Sequence, residues 1–398
     1  MKILYLVPHV PHPTKVRSYL QIRGLVAAGN DVTVATIART SHDIDQVKRI
    51  EAMGVTVLWA PLQHFQALTN AGAGFLRGRP LQAQLLWSDV LMSKIRQRLA
   101  SHPVDIIHVE HLRMAAYGLK LAQAWPVVWD AVDSLTSLFQ QAMYASDNGI
   151  WKLLARIEAP RLARYEPWLT TRFPATLVIS PRDQAIFQKA SPVPERIHLA
   201  PFGTPVAEPA VAKQRAENRL VLTGSMNYHP NISSAHYLIR EIMPQVISAF
   251  PEVRLQLVGA NPPASIQGLA SDHIEVTGFV ASVTDYLREA TIAVAPVTYG
   301  SGIQIKVIEA LLAETPLVAT TTATRGLELE HGKHVLIADT PEAFAGAIRI
   351  LLSDPALRAR LAAEGRQFVE KNHNLSHTTA NLIRIYEEVL TNSAMTTS

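Results

Sequence analysis

The sequence predicts two doubly wound α/β domains joined by a linker. Three observations carry this. Short β-branched runs alternate with helical patterns along most of the chain, which implies βαβ units and parallel sheets. The alternation stops at GTPVAEPAVAKQRAEN (203–218), a Pro- and Ala-rich stretch without apolar periodicity, and then restarts. In the second half the runs end in glycines and polar residues, and ligands of such sheets bind beyond the carboxyl ends of their strands. The expected boundaries are 1–204, 205–375 and a C-terminal stretch 376–398.

The first-half strands read as KILYLV (2–7), DVTVATI (31–37), VTVLWA (55–60), DIIHVE (105–110), PVVWDAV (126–132), ATLVIS (175–180) and RIHLAP (196–201). Those of the second half read as RLVLTGS (219–225), VRLQLVG (253–259), HIEVTG (273–278), IAVAPV (292–297), PLVATTT (316–322) and HVLIAD (334–339). Residues 341–391 are helical by pattern. Asp43 and Asp45 form a D-x-D, a motif that elsewhere holds a metal-bound nucleotide. Here it opens the helix SHDIDQVKRI (41–50), so it reads as capping and dipole complement.

Composition narrows the function classes. The 398 residues are 48% hydrophobic and 18% charged, the balance of a soluble globular protein with core enough for two or three domains. No cysteine occurs, which excludes disulfides, thiol nucleophiles and cysteine-ligated metals and suits a reducing compartment. No run approaches the ~18 apolar residues of a membrane span. The start, MKILYLVPHV, is too short for a signal peptide and breaks at Pro8. Residues 1–204 hold 22 Lys+Arg and 14 Asp+Glu, a net +8, whereas 205–398 hold 15 and 19, a net −4. The two halves thus face different partners, or the first half works near an anionic surface. It lacks a dense Lys/Arg block with interleaved aromatics, so nucleic acid is not expected as a partner. Neither VPHVPHPTK nor LTGSMNYHP holds G-x-G-x-x-G after its strand, which argues against a dinucleotide-dependent oxidoreductase.

One stretch points to a ligand: VTYGSGIQIKVIEALLAETPLVAT (297–320). Its helix is nearly all Ile, Val, Leu and Ala, yet carries Lys306 and Glu309. Burying an unpaired charge is expensive, so both need partners. They are three residues apart and share a face. Gly300 and Gly302 stand where free N–H groups and the helix dipole favour an anion. The pattern reads as phosphate at the glycines, Lys306 on that phosphate, and Glu309 accepting hydrogen bonds from hydroxyls. A nucleoside diphosphate meets all three. Gly224, Gly259, Gly278 and Gly300 are expected along one sheet edge beside it.

In these residues the chain resembles glycosyltransferase family 4, whose GT-B fold sets two Rossmann-like domains facing across a cleft. YGSGIQIKVIEALLAETPLVATTTATRGL (299–327) resembles that family's donor-binding segment. LTGSMNYHPNISSAHYLIREIMP (222–244) resembles a subgroup of bacterial exopolysaccharide and surface-glycan assembly. NLSHTTANLIRIYEEVL (374–390) looks like the closing helix that crosses back onto the first domain. The resemblance implies an acceptor-binding first domain and a nucleotide-sugar-binding second domain. It implies transfer of a sugar from a nucleotide-diphosphate donor with retention of configuration. Lys306 would bind the diphosphate and Glu309 the ribose. Gly300, Ser301, Gly302, Ile303 and Gln304 would hold phosphates and sugar, with Gly224, Ser225, Asn227 and Gly259 alongside. Gly278, Phe279 and Val280 would meet the base. The chain departs from the family pattern at Ser301, where relatives have a first glutamate, and at Ser225, where many have a cation. Phosphate charge would then rest on Lys306, helix N-termini and Arg17. The first-domain loop PHVPHPTKVRS (8–18) lacks the family's glycines but keeps Lys15 and Arg17.

Three first-domain strand ends complete the expected site. Glu110 matches by spacing the family's sugar-contacting histidine, with His111 next and His108 a core candidate. Asp130 and Asp133 would hold an acceptor hydroxyl or stabilise an oxocarbenium-like transition state, although Asp133 could instead cap the helix that follows. The leaving diphosphate can take the acceptor proton in a retaining transfer, so no metal or other cofactor is expected. WKLLARIEAPRLARYEPWLTTRF (151–173) carries Lys152, Arg156, Arg161, Arg164 and Arg172 with Trp151 and Trp168. Its pattern suits an interfacial helix as well as a solvated one packed within the domain. A glycan, lipid-linked or small-molecule acceptor is the expected partner, and a lipid-linked one would fit at the cytoplasmic face of the membrane. A non-catalytic sugar-nucleotide or glycan-binding protein and a GT-B sugar-nucleotide epimerase fit the same residues.

Overall fold

The structure, a computed structural model, describes residues 1–12, 16–145, 149–206, 215–299 and 303–397. The chain divides into two compact units, Met1–Pro205 with Asn374–Ser398, and Val206–His373. Each is built on one parallel sheet. The first has seven strands, β1 (Lys2–Val7), β2 (Asp31–Ala38), β3 (Thr56–Pro61), β4 (Ile106–Glu110), β5 (Val127–Val132), β6 (Ala175–Val178) and β7 (Ile197–Leu199). They lie in the order β3-β2-β1-β4-β5-β6-β7. The second has six, β8 (Arg219–Thr223), β9 (Arg254–Val258), β10 (Ile274–Gly278), β11 (Ile292–Ala295), β12 (Leu317–Ala319) and β13 (Leu336–Ile337), in the order β10-β9-β8-β11-β12-β13.

Helices cover both faces of the first sheet. Leu4 and Leu6 of β1 enter one apolar cluster while Ile3, Tyr5 and Val7 enter another. This two-sided burial is why parallel strands read as unbroken apolar runs in sequence. The helices that matter below are α1 (Val16–Ala27), α2 (Ser41–Glu51), α3 (His64–Leu76), α4 (Leu135–Ala145), α5 (Gly149–Thr170), α6 (His229–Tyr237), α7 (Ile305–Leu312) and α8 (Leu375–Thr397). At the start of α2 the Thr40 side chain accepts from the Asp43 N–H, and the Asp43 carboxylate accepts from the Thr40 N–H, so the D-x-D is spent on a capping box.

Two segments are set by packing. Helix α8 belongs to the first unit, where Leu382, Ile385, Tyr386 and Val389 join the cluster of Ile3, Tyr5 and Val7. Burial of each such side chain contributes on the order of 2 kcal/mol. In α5, Ala155, Leu162 and Leu169 are buried, and Trp151 and Trp168 pack against the same core beside Phe139 and Tyr165. The aromatic face of 151–172 is therefore turned inward, as in a helix packed within the domain. The core takes that face because the first sheet needs cover on that side.

Candidate active site

The second unit gathers its polar residues where β8 and β11 lie side by side, the point at which the strand order reverses. Glycines let the backbones close in there. Gly224 has φ of 144°, and a Cβ on Gly259 would stand 1.8 Å from the Gly224 carbonyl oxygen. The Gly259 N–H donates to the Gly278 carbonyl at 3.2 Å, so Gly224, Gly259 and Gly278 share one edge. Gly259→Ala is therefore expected to destabilise the second unit by about 3 kcal/mol. Urea melts by far-UV circular dichroism should show it. Tryptophan fluorescence should not, because Trp59, Trp87, Trp125, Trp129, Trp151 and Trp168 all lie in the first unit.

Helix α7 starts at this edge with no side-chain cap from Gln304. Gly300, Ser301 and Gly302 lie outside the described residues, as does Lys15. Ile303 and Gln304 are partly buried. Lys306 Nζ donates to Asn231 Oδ1 at 2.5 Å, and Asn231 Nδ2 donates to the Ser225 carbonyl at 2.9 Å. The Ser225 hydroxyl donates to Asn227 Oδ1 at 2.8 Å. Burial pushes the Lys306 ammonium down to about 8, with Glu309 opposing. Burial likewise pushes the Glu309 carboxyl up to about 7, with Lys306 opposing. Among the described residues, the one hydrogen-bond partner of Lys306 is neutral, and no hydrogen bond to the Glu309 carboxylate is present. Beyond β10, Phe279 is 76% exposed and Val280 half-buried. His229 Nδ1 is hydrogen-bonded to the Tyr299 hydroxyl nearby in sequence to these loops.

The first unit gathers a buried charge network. Arg17 of α1 donates to Asp130 Oδ2 at 2.6 Å and lies 3.6 Å from Glu110 Oε2. Glu110 accepts from the Tyr5 hydroxyl at 2.8 Å and the Ser18 hydroxyl at 2.7 Å. His108 Nε2 stands 3.3 Å from Asp130 Oδ2, and its Nδ1 is 2.7 Å from the Tyr386 hydroxyl of α8. Asp130 is pushed up by burial, but Arg17 and His108 together hold it below the usual carboxylate range. Arg17, Glu110 and Asp130 thus meet one another and leave little charge for a ligand.

His111 and Asp133 lie beside this network. His111 has φ of 67° and Val132 has φ of 71°, both strained positions for residues with a Cβ, at the ends of neighbouring strands. Burial, aided by Arg113 and His9, drives His111 down to about 3, so it is neutral at working pH. Its Nδ1 accepts from the Arg113 N–H at 3.2 Å, which assigns the proton to Nε2 and makes His111 a donor. The cap of α4 is built by Ser134 and the buried Glu166, which accepts from the Leu135 and Thr136 N–H groups. Asp133 is not the cap. Asn231, Glu166, Tyr5, Ser18 and Tyr386 escaped the sequence reading. Of these, only Asn231 had a local signal, the Pro-Asn that follows Gly-Ser-Met.

Two family models match the chain: Glycosyltransferase Family 4 over residues 16–208, and Glycosyl transferases group 1 over 217–354. The chain belongs to glycosyltransferase family 4. The Mycobacterium leprae phosphatidyl-myo-inositol mannosyltransferase is 24% identical to this family-4 chain over 324 residues, 78% of the chain and 81% of that protein. The enzyme of the same name from Mycobacterium tuberculosis strain H37Rv is 28% identical over 368 residues, 86% and 90%. Sucrose-phosphate synthase from Thermosynechococcus elongatus superposes with a TM-score of 0.69 at 16% identity, over 98% of this chain and 99% of that one. Anabaena Alr3699/HepE, solved with UDP and glucose, gives 0.70 at 15% identity, over 98% and 100%. The family-4 chain thus has the GT-B fold and is a glycosyltransferase.

Proposed function

We propose that this glycosyltransferase moves a sugar, with retention of configuration, from a nucleotide-diphosphate donor to a glycan or lipid-linked acceptor at the cytoplasmic face of a membrane. The observation that carries this is the pair Lys306 and Glu309, both desolvated and both short of partners, at the strand-order reversal of the second sheet. A diphosphate supplies the anion that Lys306 lacks, and ribose hydroxyls supply the donors that Glu309 lacks. Gly224, Ser225, Asn227 and Gly259 give the phosphates a close backbone edge. Phe279, exposed beyond Gly278, offers a face for the base. The start of α7, which takes no side-chain cap from Gln304, adds N–H donors toward the leaving diphosphate.

The proposal assigns His111 to a sugar hydroxyl as an Nε2–H donor and Asp133 to the acceptor hydroxyl. Glu110 and Asp130 act through Arg17 as positioning residues. The leaving diphosphate takes the acceptor proton, and Lys306 stabilises the charge that develops on it. No resident metal takes part in this scheme. The mycobacterial relatives carry phosphatidyl-myo-inositol in their names, which supports a lipid-linked acceptor here. The test is incubation of the purified protein with UDP-, GDP-, TDP- and ADP-sugars and a bacterial lipid extract. One donor is expected to lose its sugar to an extractable product whose anomeric signal matches the donor's. Donor binding without transfer to any acceptor, or a product of opposite configuration, would overturn the reading.

A further inference from the structure

The first unit holds a second pocket, at the amino ends of β6 and β7. Glu110, His111, Asp130 and Asp133 stand at the opposite edge of the same sheet, beyond the carboxyl ends of β4 and β5. The pocket has a volume of about 480 Å³ and is lined by the segments that lead into β6 and β7 and by the C-terminal half of α8. Sites for small molecules span about 300–1,000 Å³. No residue assigned above to sugar transfer lines it.

Its cations are short of partners. Arg172 forms no ion pair among the described residues and lies against the Trp168 ring, 4.9 Å from the ring centre. Arg196 donates from Nη1 to the Phe173 carbonyl at 3.4 Å and also forms no ion pair among the described residues. The His198 ring makes no hydrogen bond among the described residues. Burial holds it below the ordinary histidine range, with Glu388 opposing and Arg384 aiding. The acids do not neutralise the arginines: Glu388 pairs with Arg384 one turn back on α8, and Glu195 is exposed.

Two guanidinium forks with donors to spare match the oxygens of a phosphoryl group. Glu195, Glu388 and Asn392 offer acceptors to hydroxyls, while Phe173, Ile385 and Val389 supply an apolar wall. We propose that this pocket binds a phosphorylated monosaccharide, with its phosphoryl group on Arg172 and Arg196 and its hydroxyls on the acids and Asn392. Such binding needs neither donor nor transfer, so this inference and the proposed function can fail separately.

The test is calorimetric titration of the purified protein with glucose 6-phosphate, with inorganic phosphate and glucose as separate arms. Glucose 6-phosphate is expected to fill one site about tenfold more tightly than inorganic phosphate, because the hydroxyls add contacts, and glucose alone should give no heat. Lys306→Met should bind it as wild type does, which separates this site from the nucleotide site. Arg172→Gln, at an exposed side chain, should weaken binding about tenfold at an unchanged melting temperature, and Arg196→Gln should act in the same direction. Phosphatidylinositol vesicles carry phosphoryl and hydroxyl groups on a lipid and should not displace the sugar phosphate. The proposal is overturned by absence of binding, by arginine variants that bind as wild type does, or by loss of binding in Lys306→Met. Equal affinity for inorganic phosphate, or displacement by the vesicles, would overturn it as well.

Discussion

Lys306→Met is expected to abolish nucleotide binding while leaving the free protein at least as stable as wild type. The side chain is a cost to the empty fold. Its ammonium titrates near 8 rather than 10.5 because burial disfavours the charge. The folded value lies below the unfolded one, so between about pH 8 and 10.5 the unfolded chain binds more protons and stability rises with pH. At neutral pH the cost is therefore fully present, and methionine, of similar length, removes it. A diphosphate reverses this balance by supplying the counter-charge. Wild type should show a melting shift with one of UDP, GDP, TDP or ADP, and the variant none. The affinity loss should reach a hundredfold, about 2.7 kcal/mol. Binding should also restore the lysine's proton, so at pH 8 about half a proton is taken up per site. Calorimetry in buffers of different ionisation enthalpy reads that uptake directly. Glu309→Gln should weaken binding less, because it keeps one acceptor oxygen. A Lys306→Met protein that responds to every nucleotide as wild type does would remove the donor assignment.

The same residues show what a sequence discloses. Buried parallel strands need both faces apolar, so the strands of both sheets stood out as β-branched runs. Lys306 and Glu309 stood out because polar residues are conspicuous on an oily helix. Asn231 did not, since its hydrogen bond to Lys306 spans 75 residues and exists only after α6 meets α7. The network around Arg17 was hidden for the same reason, its bond to Asp130 spanning 113 residues. Spacing placed Glu110 and Asp130 at strand ends but could not show that their oxygens are spent on Tyr5, Ser18 and Arg17. Direction was the other gap. Helix α5 has tryptophans and arginines in a pattern that suits an interface, yet its sheet draws the tryptophans inward. Helix α3 is free of charge in the sequence, but which strip faces outward depends on what it packs against.

Arg17→Met should produce the largest loss of stability, about 3–5 kcal/mol at pH 7, because it strands two buried carboxylates. Asp130 and Glu110 are 0% and 4% exposed. A loss of that size approaches the whole stability of a typical domain, about 5–15 kcal/mol. The pH dependence separates this cause from lost packing. In wild type Asp130 is held below its usual value, so its contribution is present above that range and is lost only as pH falls through its folded value. Without Arg17, burial acts on Asp130 with less opposition and raises it. A group raised in the folded state costs stability as pH rises through it. The difference between variant and wild type should thus shrink from pH 8 to pH 5. Urea melts followed by tryptophan fluorescence suit the test, since all six tryptophans lie in this unit. Adding Asp130→Asn to Arg17→Met should recover part of the loss, as a double-mutant cycle requires of partners in one network. A deficit that stayed constant across this pH range would mean that Arg17 contributes through packing alone.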